Sequence, residues 1–433
     1  MARVDRPFFT GTEPRLVDCM WSATGGAAPD TVTLAGEERC DVLIVGGGFN
    51  GVTAGLHLAE AGVKAILVEA LEIGAGASGR NAGMVNPGQL IGPEEIQATL
   101  GPDYGRRFVE ELGKAPDMVR ALIAKHGIEC YMDDRPVIRA AHNAKQGRIL
   151  KRQVEVWQGF GAKVELADAA EVEKLTGTSI YTCALLDYRG YTIQPLAYVR
   201  GLARAAVKAG LRISTGVPVT GLEPEGGKWR ARVGGATIVA DKVILSTNAY
   251  SGNLVPQMKQ EFVPLGAFGF ATPPLSAEMR ARILPSGLSL YDTHMIPAFF
   301  RYDPEGRLMV GCVGFLPHET RRGRWAERAL RHLYPDLPRL EWEFRWSGTL
   351  SKTPNLMPHF LQPAPGLYAT LGCNGRGIAP NTYFGTMLAR MVLGEDLAAP
   401  LPALPAHPYP FRTLMREGYD AGMRIYRNTL IFS

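Results

Sequence analysis

Apolar residues along the chain fall first into an uninterrupted run, Val42-Leu43-Ile44-Val45, the pattern of a strand buried on both faces in a parallel sheet. Three glycines follow, Gly46–Gly48, and then Val52, Leu56 and Ala59 recur on one helical face until Gly62 stops them. Ala65–Val68 is a second buried run and ends at Glu69, so residues 41–69 predict one βαβ unit of about 30 residues. Downstream, residues 92–165 read as mainly helical, and Tyr198–Lys208 as a helix stopped by Gly210. Arg212–Val219 reads as a strand, and Trp229–Val233 with Thr237–Ala240 as a hairpin leading into the strand Lys242–Leu245. Alternation around Phe262–Phe270, Ala298–Tyr302 and Leu308–Val313 predicts a second, mostly antiparallel sheet. The last strong helix is Ala379–Leu393, with Pro380 suited to its first turn. Residues 1–38 show no period and read as an irregular extension. Ala399–Pro410 reads as a proline-rich linker to an amphipathic tail, Phe411–Ser433.

Composition narrows the class. With 433 residues, 46% hydrophobic and 21% charged, the chain has ample apolar surface for a folded core. Its net charge of +5 is spread without a block of like charges, which argues against a nucleic-acid arm. No run of about 18 apolar residues exists, so no membrane span is expected. The six cysteines carry no C-x-x-C, histidines are never spaced H-x-x-x-H, and a metal site is not expected. Scattered cysteines and the lack of an apolar leader predict a cytoplasmic protein. Glycine is the outlier at 50 residues, eleven of them between Gly46 and Gly88 and six between Gly366 and Gly394. Two such clusters, far apart in sequence, are what one extended ligand needing close backbone approach would require.

The first cluster supplies that ligand's chemistry. Gly46-Gly47-Gly48-Phe49-Asn50-Gly51 matches G-x-G-x-x-G between a strand and a helix. Gly46 makes the turn, Gly48 admits a pyrophosphate, and Gly51 and Gly55 let helix and strand pack closely. The helix N-terminus offers unpaired N–H groups to phosphate. Glu69, 21 residues after Gly48, is placed to accept ribose hydroxyls and to repel a 2′-phosphate. NADP is disfavoured; FAD and NAD both remain on this evidence of spacing alone.

A second glycine-rich loop lies directly after Glu69 and Ala70. Its string Gly76-Ala77-Ser78-Gly79-Arg80-Asn81-Ala82-Gly83-Met84 resembles the D-amino-acid oxidase superfamily of FAD enzymes. In motif detail it is most similar to the γ-glutamylputrescine oxidase and glycine–sarcosine oxidase branch, although relatives usually carry a second glycine at Ala82. The resemblance runs through residues 40–395. It includes Tyr191–Pro195, the turn Ser246-Thr247-Asn248-Ala249-Tyr250, Asp292 with Arg301-Tyr302-Asp303, Trp346-Ser347-Gly348 before Thr353-Pro354, and Gly372-Cys373-Asn374-Gly375-Arg376-Gly377 before the last helix.

The resemblance implies an α/β fold: a Rossmann-like FAD domain with a parallel sheet, and a substrate domain built on a mostly antiparallel sheet. The expected division assigns residues 39–91, 166–258 and 350–396 to the FAD domain and 92–165 and 259–349 to the substrate domain. Residues 397–433 are expected to dock as a tail. The implied FAD contacts are Gly46, Gly48, Phe49, Asn50, Gly51, Glu69, Ala70, Ser78, Gly79, Arg80, Asn81, Ala82, Gly83 and Met84 around the first cluster. To these the resemblance adds Val217, Val219, Thr247, Asn248, Trp346, Gly375, Arg376, Gly377 and Ile378. The helix beginning near Ile378 would aim positive potential at the flavin. Sarcosine-oxidase relatives bind flavin covalently through a cysteine where this chain has Gly348, so the FAD here is expected to be non-covalent.

Flavin amine oxidation moves a hydride equivalent from the carbon next to nitrogen to flavin N5, and the resulting imine hydrolyses. No acid–base pair is compulsory. The candidates for the chemical site are Arg301 as a carboxylate anchor, Tyr250 and Trp346 as aromatic walls, and Lys352 as a cation that assists reoxidation by O2 or another acceptor. The expected partner is a small amine substrate, with the oligomeric state open. Two other readings are carried: a flavoprotein acting on a macromolecule such as a modified tRNA, and a non-catalytic FAD-bearing assembly factor.

Overall fold

The computed structural model describes residues 16, 19–314, 319–395, 399, 401–404 and 412–429. Most of the first half of the N-terminal extension and most of the proline-rich linker lie outside the described residues.

The first apolar run forms a strand, Glu37–Val45, whose four final residues are buried. It pairs in parallel with Ala65–Glu69 on one side and with Ala236–Leu245 on the other. Arg212–Thr215 adds beyond Ala65–Glu69, and Leu367–Leu371 beyond Ala236–Leu245, both in parallel. Five parallel strands therefore run side by side, and the hairpin Val219–Glu225 with Lys228–Val233 folds antiparallel onto Ala236–Leu245. The helix Phe49–Glu60 is buried on nearly all sides, because helices Pro195–Lys208 and Ile378–Val392 pack against it. Gly385 sets that approach: a Cβ there would lie 2.9 Å from Thr53 Cβ and press on the Asn50 carbonyl.

The second sheet has eight strands, in spatial order Phe344–Lys352, Val263–Pro274, Arg307–Val313, Ala298–Tyr302, Ser289–Asp292, Val137–Ala141, Cys183–Asp187 and Val164–Asp168. Every neighbouring pair is antiparallel except Ser289–Asp292 with Val137–Ala141. Its own apolar core gathers Phe268, Phe270, Phe300 and Trp325. The α/β fold with one parallel-containing sheet and one mostly antiparallel sheet is thus as expected.

Several boundaries move. Arg212–Val219 is two strands, broken at Gly216, whose φ of +76° turns the chain. The expected domain edge at residues 165 and 166 cuts through Val164–Asp168, and Cys183–Asp187 belongs to the second sheet. Cross-strand pairing, invisible to local pattern, therefore carries the second sheet on to Asp187. Strand Phe344–Lys352 likewise spans the expected edge at 349 and 350.

The N-terminal extension also differs from an irregular segment. Met20–Ala23 is a short helix, and Cys19, Met20 and Trp21 are buried in the main core. Trp21 Nε1 donates to the Asn81 carbonyl at 2.8 Å. Trp346 Nε1 donates to the Arg80 carbonyl at 2.9 Å, and Arg301 Nη1 to the Ala82 carbonyl at 3.1 Å. Three successive carbonyls of the second glycine-rich loop are thus held by side chains from three distant parts of the chain. Among the described residues no helix is long and apolar enough to cross a membrane.

Trp21→Phe keeps the buried ring and leaves the partly buried Asn81 carbonyl without its donor. The expected loss is about 1–3 kcal/mol of unfolding free energy, read as a lower midpoint in thermal or denaturant unfolding. An unchanged midpoint would show that the indole hydrogen bond does not hold this loop.

Candidate functional site

Five segments around the site leave the same edge of the parallel sheet. Gly46 follows the strand Glu37–Val45, Glu69 ends Ala65–Glu69, Val217 follows Arg212–Thr215, Ser246–Asn248 follow Ala236–Leu245, and Gly372 follows Leu367–Leu371. Ligands of open α/β sheets bind at this carboxyl edge. Gly46 has φ +110°, and a Cβ there would lie 2.8 Å from the Ser246 carbonyl oxygen. A Cβ on Gly51 would run into the Gly46 carbonyl, so turn and helix meet backbone to backbone.

The helix Phe49–Glu60 opens without a side-chain cap and without an acidic residue in its first turn. Its Phe49 N–H donates to Ser78 Oγ at 3.0 Å, tying the two glycine-rich loops together. Glu69 Oε2 accepts from Gly47 N–H at 2.7 Å and Oε1 from Leu71 N–H at 3.0 Å. Burial raises the Glu69 carboxyl above its ordinary range, and these backbone donors offset only part of that rise. Each oxygen keeps a lone pair for a further donor such as a ribose hydroxyl.

Between this edge and the second sheet lies a cavity of about 540 Å³. Of the expected cofactor contacts, Gly48, Phe49, Asn50, Ser78, Arg80, Asn81, Ala82 and Met84 line it from the first cluster. Asn248, Trp346, Gly375, Arg376 and Gly377 line it from the later segments. Gly46, Gly51, Gly79, Gly83, Thr247 and Ile378 stand behind that wall. Gly83, for example, has φ +71° and packs against Arg301 Nη1. Glu69, Ala70, Val217 and Val219 lie outside the cavity, at the ends of two neighbouring strands or just beyond them. The Gly216 N–H donates to the Leu71 carbonyl at 2.7 Å, which draws those two ends together.

The opposite wall comes from the second sheet and the loop Met295–Pro297, with Leu265, Phe268, Phe299 and Met309 among its side chains. The helix Ile378–Val392 begins at this cavity too, preceded by Gly377, which offers no side-chain cap. Two helix N-termini therefore face one space from different directions. That arrangement, the glycine cradle a Cβ would fill, and Glu69 fit an extended FAD, whose pyrophosphate suits the first helix end and whose ring suits the second.

A polar network sequence reasoning did not find locks the segments together. Asn248, at φ +43°, accepts from the Ser351 hydroxyl, and Ser351 Oγ accepts from Gly372 N–H at 2.9 Å. Asn374, at φ +49°, accepts from Thr353 N–H at 2.8 Å and donates to the Gly372 carbonyl at 2.7 Å. Asn50 uses its side chain in the same way, accepting from Ser246 Oγ at 2.6 Å and donating to Thr370 Oγ1 at 2.9 Å. Asn374 could have been suspected from its place in the second glycine cluster; Ser351 carries no local signal.

The four candidates for the chemical site separate. Trp346 and Lys352 line the cavity, and Lys352 Nζ sits 3.9 Å from the centre of the Tyr419 ring on the helix Arg412–Thr429. Gly418 and Gly422 of that helix also line the cavity, and Arg412 Nε donates to the Phe262 carbonyl at 2.8 Å. Tyr250 stands behind the wall, its hydroxyl accepting from Thr349 N–H at 3.0 Å. Arg301 is a correction: it is buried and outside the cavity. Its guanidinium donates to the carbonyls of Ala82, Ile193 and Tyr302 and lies over the Trp21 ring. Burial brings its pKa down to about 10. A guanidinium buried outside the cavity and committed to three backbone acceptors supports the loop instead of anchoring a substrate carboxylate.

Comparison with known proteins agrees with this geometry. The family model described as FAD dependent oxidoreductase, of the DAO type, matches residues 41–391. The chain is 30% identical over 417 residues to a probable oxidoreductase OrdL of Rhizobium meliloti (strain 1021), covering 95% of this chain and 94% of that one. It is 30% identical over 397 residues to the γ-glutamylputrescine oxidoreductase of Escherichia coli (strain K12), covering 90% and 92%. Among solved structures, glycine oxidase from Geobacillus kaustophilus shares the fold with a TM-score of 0.72 at 19% identity, covering 86% of this chain and all of the other. A cavity built from two glycine clusters at one sheet edge, and a family match spanning both, make this chain a member of the DAO family of FAD-dependent oxidoreductases.

Proposed function

We propose that the protein oxidises the carbon–nitrogen bond of a small amine or N-substituted amino acid, giving an imine that hydrolyses, with O2 restoring the oxidised cofactor. The observation that carries this reading is the cavity itself: FAD-type loops on one side and apolar and aromatic side chains of the second sheet on the other. When bound, FAD supplies the hydride acceptor for the carbon next to nitrogen. The chain's residues have the tasks of binding, orienting and excluding water. Leu265, Phe268, Phe299 and Met309 form a surface that disfavours a charged ammonium, so the amine is bound neutral. Trp346 presents a rigid aromatic wall, fixed by its bond to the Arg80 carbonyl. Tyr419, with Gly418 and Gly422, brings the C-terminal helix to the same cavity and keeps solvent from it. The E. coli relative named for γ-glutamylputrescine supports an amine substrate. That no disulfide joins the six cysteines among the described residues supports a cytoplasmic, reducing location.

The direct test is anaerobic reduction of the yellow protein against a panel of amines and amino acids. Bleaching of the flavin absorbance by at least one amine is expected, with recovery on admitting air. Flavin that no amine reduces would favour a non-catalytic, FAD-bearing role.

The FAD is proposed to be non-covalent, since Gly348 lines the cavity where covalent relatives carry cysteine, and Cys373 is the cysteine that lines it among the described residues. Acid precipitation is therefore expected to release the flavin into the supernatant; yellow colour kept in the pellet would contradict this. Lys352 is proposed to assist reoxidation, as a cation on the cavity wall. Lys352→Met is expected to slow recovery in air by tenfold or more, roughly the worth of one electrostatic contact, while changing reduction by the amine much less. Equal slowing of both halves would make it a binding residue instead.

A further inference from the structure

Beside the main cavity is a small chamber of about 30 Å³, sharing Leu90, Tyr291 and Arg376 with the cavity wall. That volume holds about two water molecules, or one group of carboxylate size. Its charge is unbalanced. Arg139, Arg189 and Arg376 line it, against one carboxylate, Asp187, which is bound to Arg189 at 2.7 Å and 2.9 Å. Neither Arg139 nor Arg376 has an acidic partner among the described residues. Arg139 Nη1 donates to Gln153 Oε1 at 2.9 Å, while its buried Nε has no acceptor. Arg376 is buried and donates from Nη2 to the Tyr291 hydroxyl at 2.8 Å. Tyr291 accepts that bond, so its own proton remains available to a further acceptor.

Gln89 makes the same case from the other side. It is 4% exposed, lines the chamber, and both its side-chain polar atoms lack partners. Buried cations and amides left unpaired are costly. Burial and the neighbouring Arg376 both lower the Arg139 pKa, as expected for two cations confined together. A planar guanidinium is suited to a carboxylate, which it can bind through parallel N–H bonds.

We infer that this chamber is an anion subsite, in which Arg139, Arg376 and Tyr291 hold a carboxylate at the end of the substrate remote from its amine. The substrate class follows: a linear amine bearing a terminal carboxylate, its amine in the main cavity and its acid in the chamber. This rests on the amine-oxidation reading and names its substrate more closely. It also gives the chain a carboxylate anchor in place of Arg301.

The test uses the FAD-loaded full chain with linear ω-amino carboxylates and the corresponding neutral amides. Arg139 is varied rather than Arg376, because Arg376 also lies in the second glycine loop. Wild type is expected to be reduced by the best carboxylate more efficiently than by its amide, roughly 30-fold or more, the scale for a buried charge pair losing one partner. Arg139→Gln is expected to bring that ratio close to one, chiefly through weaker binding, and Arg139→Lys to restore part of it. Thermal protection by glutarate but not glutaramide, lost in Arg139→Gln, reads the same subsite without turnover. A wild-type ratio near one, an unchanged ratio in Arg139→Gln, or equal protection by chloride and inorganic phosphate would overturn the inference. If no amine reduces the flavin, the amine-oxidation reading fails, and the glutarate arm still decides whether the chamber binds a carboxylate.

Discussion

The loop Ala77–Met84 passes half-buried beside the cavity, and each carbonyl withdrawn from water needs a donor. The Arg80, Asn81 and Ala82 carbonyls take theirs from Trp346, Trp21 and Arg301. These three side chains come from the second sheet, the N-terminal extension and the second sheet again, so the loop is where the separate parts of the molecule are fastened together. A single buried guanidinium meets three carbonyls at once, which neither a lysine nor a neutral side chain could do with the same planar fork. Arg80 returns the connection by donating to the Ser347 carbonyl at 3.1 Å.

With the loop held, the two glycine clusters can face one another across a single space. Each contributes a helix N-terminus without a side-chain cap, an arrangement that leaves backbone donors and positive potential for a ligand. The asparagines Asn50, Asn248 and Asn374 work on a different scale, joining adjacent turns through side-chain bonds where backbone pairing has ended. Two of them also occupy left-handed backbone, which asparagine tolerates better than most residues.

Interior cations then fall into two kinds. Arg301 donates to backbone carbonyl oxygens of the framework, whereas Arg139 and Arg376 converge on a chamber whose one carboxylate, Asp187, is bound to Arg189. The motif around Arg301 suggested the opposite assignment, because an arginine on a substrate-domain strand looks like an anchor until its partners are known. Local pattern reports residue type and periodicity; it does not report which acceptor a long side chain reaches.

The run Val42–Val45, the G-x-G-x-x-G turn and Glu69 were legible because close backbone approach and continuous burial impose residue types locally: only glycine fits at Gly46 and Gly51, and only apolar residues suit a strand covered on both faces. The sequence by itself therefore determined the cofactor half of the molecule and the class of its ligand. The sheet to which Val164–Asp168 and Cys183–Asp187 belong, the burial of Trp21, and the chamber at Arg139 were decided only by tertiary structure. Each depends on cross-strand pairing or on side chains meeting over long sequence separations, as with Arg139 and Arg376 at Tyr291, and such meetings leave no periodicity along the chain.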